Sequence, residues 1–247
     1  MRVLMLLAAL AVGQQFDVAS VKANRSGPVG NRFLTLVPGG VRVVNLPLST
    51  ILWMAHGVQS DQIVNVPPWA MTEAFDITAK GTGVTVDTFR PMRVNLLADR
   101  FQLKTHHERR ELAVYRLLRV DEKSLGPKLH EADYDCAAAG TSAARPSPEL
   151  AARLQNCGAG PRPWGIAVHG MPLRAFTRFV GPVAGRVIVD ETGITGNVDL
   201  DLEYSADSAE GPSLFTAVRE QLGLKLDAAR APVDVIVIDH IDRPTDD

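Results

Sequence analysis

The sequence predicts an α+β protein made of two tandem copies of a small β-α-β-β-α-β-β unit, with extra strands ahead of the first copy. Three observations predict it. The chain has 247 residues, 46% of them hydrophobic, which is enough apolar material for two modest cores. It also matches itself. Val43-Val44-Asn45-Leu46-Pro47-Leu48 is answered 125 residues later by Val168-His169-Gly170-Met171-Pro172-Leu173, and that offset holds to Ile63-Val64-Asn65 against Ile188-Val189-Asp190. Further on the offset is 121: Phe101-Gln102-Leu103-Lys104 answers Leu222-Gly223-Leu224-Lys225, Arg109 answers Arg230, and Leu112-Ala113-Val114-Tyr115 answers Val233-Asp234-Val235-Ile236. Third, the apolar residues of both stretches pass between strand-like and helix-like periods in one shared order.

The first copy opens on a strand at Val41 to Asn45, the second at Ile166 to His169. Each runs into Asn-x-Pro or Gly-x-Pro, and proline suits the first turn of a following helix. Leu48, Ile51, Leu52 and Ala55 then recur at helical spacing, as do Leu173, Phe176, Thr177 and Val180. Gly181-Pro182 is expected to stop the later helix. A strand follows at Gln62 to Val66 or Arg186 to Asp190, then another at Ala74 to Ala79 or Asn197 to Tyr204. In the later copy Val198, Leu200 and Leu202 alternate with Asp199, Asp201 and Glu203, giving one buried face and one wet face. A second helix is predicted over Thr88 to Asp99 and Ser213 to Leu222. Each unit should close with a hairpin: Gln102 to Arg109 with Glu111 to Val120, and Lys225 to Ala229 with Val233 to Ile241. Phe16 to Lys22 and Arg32 to Val37 are the extra N-terminal strands. The expected architecture is two small mixed sheets, each packed by two helices. They occupy residues 14–122 and 165–247, joined by an irregular connection over 123–164.

Residues Met1 to Val12 carry one basic residue, Arg2, and then an apolar run too short for ~30 Å of hydrocarbon, which needs about 20 residues. Ala11-Val12-Gly13 fits a signal peptidase, so residues 1–13 are expected to be a signal peptide and the mature chain to be periplasmic or extracellular. The alternative is a buried first strand of a cytosolic protein. No later stretch reaches transmembrane length without charges, so no membrane span is expected in the mature chain. Cys136 and Cys157, the only two cysteines, lie in a stretch rich in Ala, Gly, Pro and Ser. In an oxidising compartment such a pair favours a disulfide over a metal site, for which no histidine stands at ligand spacing. Twenty-six basic residues against 28 acidic ones leave a net charge of −2, which gives no footprint for nucleic acid. Two cysteines also exclude a four-thiolate zinc site.

Three clusters carry candidate chemistry. His106-His107-Glu108 with Glu111 offers ligand atoms, but a strand sends His107 to the face opposite His106 and Glu108, short of three converging ligands. A solvated, charged sheet edge explains it better. Asp190-Glu191-Thr192-Gly193-Ile194-Thr195-Gly196 resembles a cation-holding loop, yet lacks regular acidic spacing and reads as a tight turn. Asp199, Asp201 and Glu203 invite comparison with a glycosidase pair, and read more simply as the wet face of a half-buried strand. His56, Trp53 and Trp69 read as packing residues. No nucleophile elbow, phosphate loop or dinucleotide fingerprint occurs. No residue is assigned to catalysis, cofactor or metal.

Five motifs in order carry a family resemblance: Phe16-Asp17-Val18-Ala19-Ser20-Val21-Lys22; Trp69 after Pro67-Pro68, with Phe75-Asp76-Ile77-Thr78-Ala79-Lys80; Leu97-Ala98-Asp99-Arg100-Phe101 with His106-x-Glu108-x-Arg110-Glu111; Val189-Asp190-x-Thr192-Gly193-x-Thr195-Gly196; and Val237-Ile238-Asp239. Together they resemble DUF3738, an uncharacterised family of soil bacteria, Acidobacteria above all. The resemblance supplies a context and no reaction. In element order alone, each unit is similar to the short N-terminal domains of secretins and TonB-dependent transducers, which are periplasmic interaction modules. The expectation is an exported, non-enzymatic binding, interaction or sensor module with a protein or small-molecule partner outside the cytoplasm. The alternatives are a secreted hydrolase with a carboxylate or His-Glu site, and a structural accessory domain of an envelope complex.

Overall fold

In β3 (Gly40–Pro47) Val41 and Val43 are buried while Arg42 between them is exposed, which is the two-residue period of a strand with one wet face. The computed structural model describes residues 15–27, 33–37, 39–82, 86–136, 147–205 and 211–244. The expected signal peptide and its cleavage point lie outside them. The chain packs as two compact units. One is built from the residues up to His56, Pro67–Lys104 and Asp239 onward, the other from Gly57–Val66 and Thr105–Ile238.

In the first unit β1 (Val18–Asn24), β2 (Phe33–Val37), β3 and β5 (Ala74–Lys80) form an antiparallel sheet in the order β1-β5-β3-β2. Helix α1 (Leu48–His56) buries Leu48, Ile51, Leu52, Ala55 and His56, the stripe that its spacing predicts. The short α2 (Pro68–Thr72) begins on a proline in its first turn, where the missing N–H has no helical partner to lose. Helix α3 (Val86–Arg100) adds Met92, Leu96 and Leu97, and Phe75 meets Phe101 edge to face at 5.2 Å.

The second unit holds two sheets. An antiparallel one orders β7 (Leu129–Ala132), β11 (Asn197–Glu203), β9 (Gly165–Pro172) and β8 (Gly158–Arg162) as β7-β11-β9-β8. Two helices, Arg174–Ala184 and Leu214–Leu222, accompany it, and Ile166, Val168, Phe176, Val180, Val198, Leu200, Leu202 and Val218 share its core. The other sheet is mixed. It orders β10 (Val187–Asp190), β6 (Lys104–Arg119), β12 (Leu224–His240) and β4 (Ile63–Val64) as β10-β6-β12-β4, with β10 parallel to β6 and β12 parallel to β4.

The α+β class therefore holds, with corrections. There are three sheets among the described residues rather than two. The two expected hairpins are single strands, β6 and β12: Arg109-Arg110-Glu111 and Arg230-Ala231-Pro232 carry none of the Asn-Gly or Asp-Gly chemistry that reverses a chain, and β6 and β12 pair with each other instead. The stretch 123–164 is not irregular throughout, since it supplies β7, β8 and the short helix α4 (Pro148–Leu154). The helix Arg174–Ala184, now α5, also runs through Gly181-Pro182 and ends at Gly185 in the left-handed region, whose N–H returns to the Gly181 carbonyl. Gly181 serves packing: a Cβ there would stand 2.6 Å from Gln59 Oε1.

That Gln59 side chain clamps the backbone of one residue in both directions. Its Nε2 donates to the Ile188 carbonyl at 2.6 Å and its Oε1 accepts from the Ile188 N–H at 2.8 Å, at a site where Gln59 is 8% exposed. Gln59→Leu takes these partners from the N–H and carbonyl of buried Ile188 and should destabilise the second unit by about 2 kcal/mol, read in urea denaturation.

Along the chain β1-β2-β3-α1-β4-β5-α3-β6 and β7-β8-β9-α5-β10-β11-β12, with the helix Leu214–Leu222 (α6) between the last two strands, succeed one another in the same order; α2 and α4 stand outside it. The two antiparallel sheets repeat one strand order. Among the described residues no helix is long and apolar enough to cross a membrane.

Candidate functional site

Asparagine and glycine are the residues that most readily accept a positive φ, and Asn45 and Gly170 both do so, at 51° and 60°. At each the ladder to the neighbouring strand is interrupted, between Val43 and Leu46 in one sheet and between Val198 and Leu200 in the other. A carboxylate on that neighbouring strand catches the freed N–H: Asn45 N donates to Asp76 Oδ1 at 2.8 Å, and Gly170 N donates to Asp199 Oδ1 at 2.8 Å. A bulge re-aims the chain, and the charged acceptor holds it there.

Beyond the bulge the two sites part company. In the second unit Tyr134 covers it, its hydroxyl donating to Asp199 Oδ1 at 2.9 Å. A Cβ on Gly170 would meet Tyr134 Cε2 at 2.5 Å and Cys136 Sγ at 2.6 Å, so only glycine fits beneath them. Cys136 is bonded to Cys157, the expected disulfide, with 5.5 Å between Cα atoms. In the first unit no tyrosine hydroxyl bonds the bulge carboxylate among the described residues. Asn24 Nδ2 donates instead to Asp76, at 2.8 and 3.0 Å, and Asn45 Nδ2 donates to the Gly27 carbonyl. A cleft of about 830 Å³ opens there, walled by Pro47, Met71, Ala74, Phe75 and Pro244, with Arg25, Glu73 and Arg243 also lining it. Arg243 pairs with Glu73 at 2.7 Å and lies over the Trp69 ring at 4.8 Å; the guanidinium holds the Glu73 carboxyl below its usual range. Asn45 is 2% exposed, and its Oδ1 has no hydrogen-bond partner among the described residues.

The sequence-derived candidates are engaged elsewhere. Glu108 takes two hydrogen bonds from Arg110, which lower its pKa. His106, His107, Glu108 and Glu111 all lie on β6, and among the described residues no cluster of three or more His, Cys, Asp or Glu side chains is placed to hold a metal. Asp190 Oδ1 accepts from the N–H and hydroxyl of Thr192, the bonds of a tight turn. Asp201 faces His169 at 3.2 Å, Glu203 pairs with Lys128 at 2.9 Å, and Asp199 holds the bulge. Each of the three carboxylates thus has a structural partner. They line a second cavity of about 520 Å³ beside Trp164 and His130.

The matches with known proteins follow this geometry. Residues 49–241 match the model of a family described as a protein of unknown function, DUF3738. The chain belongs to the DUF3738 family. No curated protein and no solved structure matches this DUF3738 chain.

Tyr134 makes one test of the covered bulge in DUF3738. Its phenol is pushed up to about 12, by burial first and then by its hydrogen bond to Asp199 and that carboxylate's charge. An unfolded tyrosine ionises near 10. The contribution to stability is therefore complete below pH ~10 and is lost as pH climbs through about 12. Tyr134→Phe should remove the late-ionising phenol from an ultraviolet titration, flatten the fall in stability above pH ~10, and cost about 1 kcal/mol at neutral pH.

Proposed function

We propose that this DUF3738 chain is an exported, non-enzymatic binding protein, that it arose by duplication of one half-length unit, and that the cleft at Asn45 is its recognition site. The observation that carries the reading is the contrast between the two bulges: one is closed by the chain's own Tyr134 and disulfide, and the other opens on about 830 Å³. A cavity of that size with apolar walls and a few fixed polar groups suits a small molecule or a short stretch of a partner.

Duplication is supported by matching detail. Gly40 and Gly165, 125 residues apart, each stand where a Cβ would lie about 2 Å from a carbonyl across the strand, at 2.0 Å from Ala79 O and 1.9 Å from Leu202 O. Gln102 and Gly223, 121 apart, both take a positive φ. The first copy then spans residues 14–122, and the second draws its first two strands from residues 123–164. Export is supported by the apolar N-terminal run and by a disulfide, which persists in an oxidising compartment.

The test is a thermal-shift screen of small molecules and short peptides against the wild type and Met71→Arg. Met71 is 58% exposed on the cleft wall, so the arginine narrows the cleft without disturbing the core. A ligand present at 100 times its Kd should stabilise the wild type by about 2.7 kcal/mol and the variant by far less. A screen whose hits all stabilise Met71→Arg equally, or that yields none, refutes the reading.

A further inference from the structure

We infer that the open cleft takes a hydroxylated aromatic ring, the phenol of a tyrosine side chain or of a free phenolic compound. This rests on the cleft being the recognition site, and it goes further by naming what enters.

The second unit displays the chemistry that closes such a bulge. Its occupant is a phenol: the Tyr134 ring packs over Gly170 and the hydroxyl donates to Asp199. The register identifies the matching position in the first unit. Asn24 stands opposite Ala74, the first residue of β5, and Ala132 stands opposite Asn197, the first residue of β11. Two residues onward the second unit has Tyr134 and the first has Ser26, whose N–H is taken by Asn24 Oδ1 and whose side chain brings no ring. The place that an internal tyrosine takes in one unit carries a serine in the other, beside the open cleft.

Polar complementarity points the same way. Asp76 already receives the Asn24 amide and the Asn45 N–H, so it is not the acceptor that lacks a donor. The acceptor that does, among the described residues, is Oδ1 of Asn45, a buried atom on a residue that lines the cleft. A buried acceptor left unsatisfied costs about 1–3 kcal/mol, which an O–H donor on the ligand would recover. The apolar part of the ligand faces Pro47, Met71, Ala74 and Phe75. Because the Asn45 carboxamide takes room that Gly170 leaves to Tyr134, the ligand ring seats farther from the bulge than Tyr134 does. The rim suits an aromatic guest as well, since Arg243 already lies over one indole face and Arg25 adds a second guanidinium.

The experiment titrates the full-length mature chain with N-acetyl-tyrosinamide, N-acetyl-phenylalaninamide and p-cresol, following backbone amide resonances. The tyrosine compound should move the amides of Asn45, Ala74 and Phe75 and bind about tenfold more tightly than its phenylalanine analogue, the difference one net hydrogen bond makes. Asn45→Gly removes the acceptor while keeping the positive φ, reproducing Gly170, and should bring the two compounds within about twofold of each other. Tighter binding of N-acetyl-tyrosinamide than of p-cresol assigns the ring to a polypeptide, and the reverse order assigns it to a free phenolic. Equal binding of tyrosine and phenylalanine compounds to the wild type, or a preference that survives Asn45→Gly, overturns the phenol. If no aromatic probe binds but the thermal-shift screen returns Met71-dependent ligands of other chemistry, the phenol fails and the recognition site stands. If neither assay finds a cleft ligand, both fail.

Discussion

Gly165→Ala should cost the second unit about 4 kcal/mol, combining the overpacking of a close strand contact with a φ that an L side chain rarely adopts. Gly165 sits at the start of β9 with φ 154°, between Arg162 of β8 and Glu203 of β11. A methyl group there would stand 1.9 Å from Leu202 O, and the obstacle is backbone within a sheet, which has no rotamer to turn away. Relief requires β9 and β11 to separate, and their pairing buries Ile166, Val168, Leu200 and Leu202. Urea denaturation followed by circular dichroism reads the loss as a lower midpoint. Gly40→Ala poses the same problem to β3 against Ala79 O at 2.0 Å, so a loss of similar size is expected in the first unit. A penalty under about 1 kcal/mol at both sites would mean that the strands re-space freely, and the shared close approach would lose its force as a mark of duplication.

Much of this architecture was readable in advance because it rests on short-range patterns. Helical spacing of Leu48, Ile51, Leu52 and Ala55 located α1, and alternation along Val198 to Glu203 located β11, since burying one face obliges a period of 3.6 or 2. What escaped depends on distant partners. Arg109 to Glu111 resembles a turn when read alone, because its residues are polar and mostly exposed; it is strand because β12 lies alongside. Gly158-Ala159-Gly160-Pro161-Arg162 has poor strand propensity, yet it pairs residue by residue with β9. The site followed the same rule. Asn45 and Gly170 stood out as Asn-x-Pro and Gly-x-Pro, and the alignment of the two halves placed one on the other, but proline drew attention to the helix start. Their choice of residue was the signal for a positive φ. The carboxylates that give the bulges meaning lie 31 and 29 residues away, beyond any local pattern.

Replacing both cysteines, Cys136→Ser with Cys157→Ser, is expected to lower stability by about 3 kcal/mol. The bond spans a sequence separation of 21, and in the chain-entropy view closing a loop of that length restricts the unfolded chain by about that amount. Changing both residues leaves no stray thiol to form other bonds, so the loss reports the cross-link. The effect should also reach the bulge. Cys136 lies two residues beyond Tyr134, and its sulfur stands over Gly170 together with the tyrosine ring. Without the tether the ring has less to hold it against Asp199, so the Tyr134 phenol should ionise closer to pH ~10 and the Gly170 amide should exchange with solvent faster. A double variant that loses under about 1 kcal/mol while keeping its late phenol would show that packing alone closes this site. In that case the difference between the two bulges would lie in Tyr134 against Ser26 rather than in the disulfide, and a first unit carrying Ser26→Tyr should fill its own cleft.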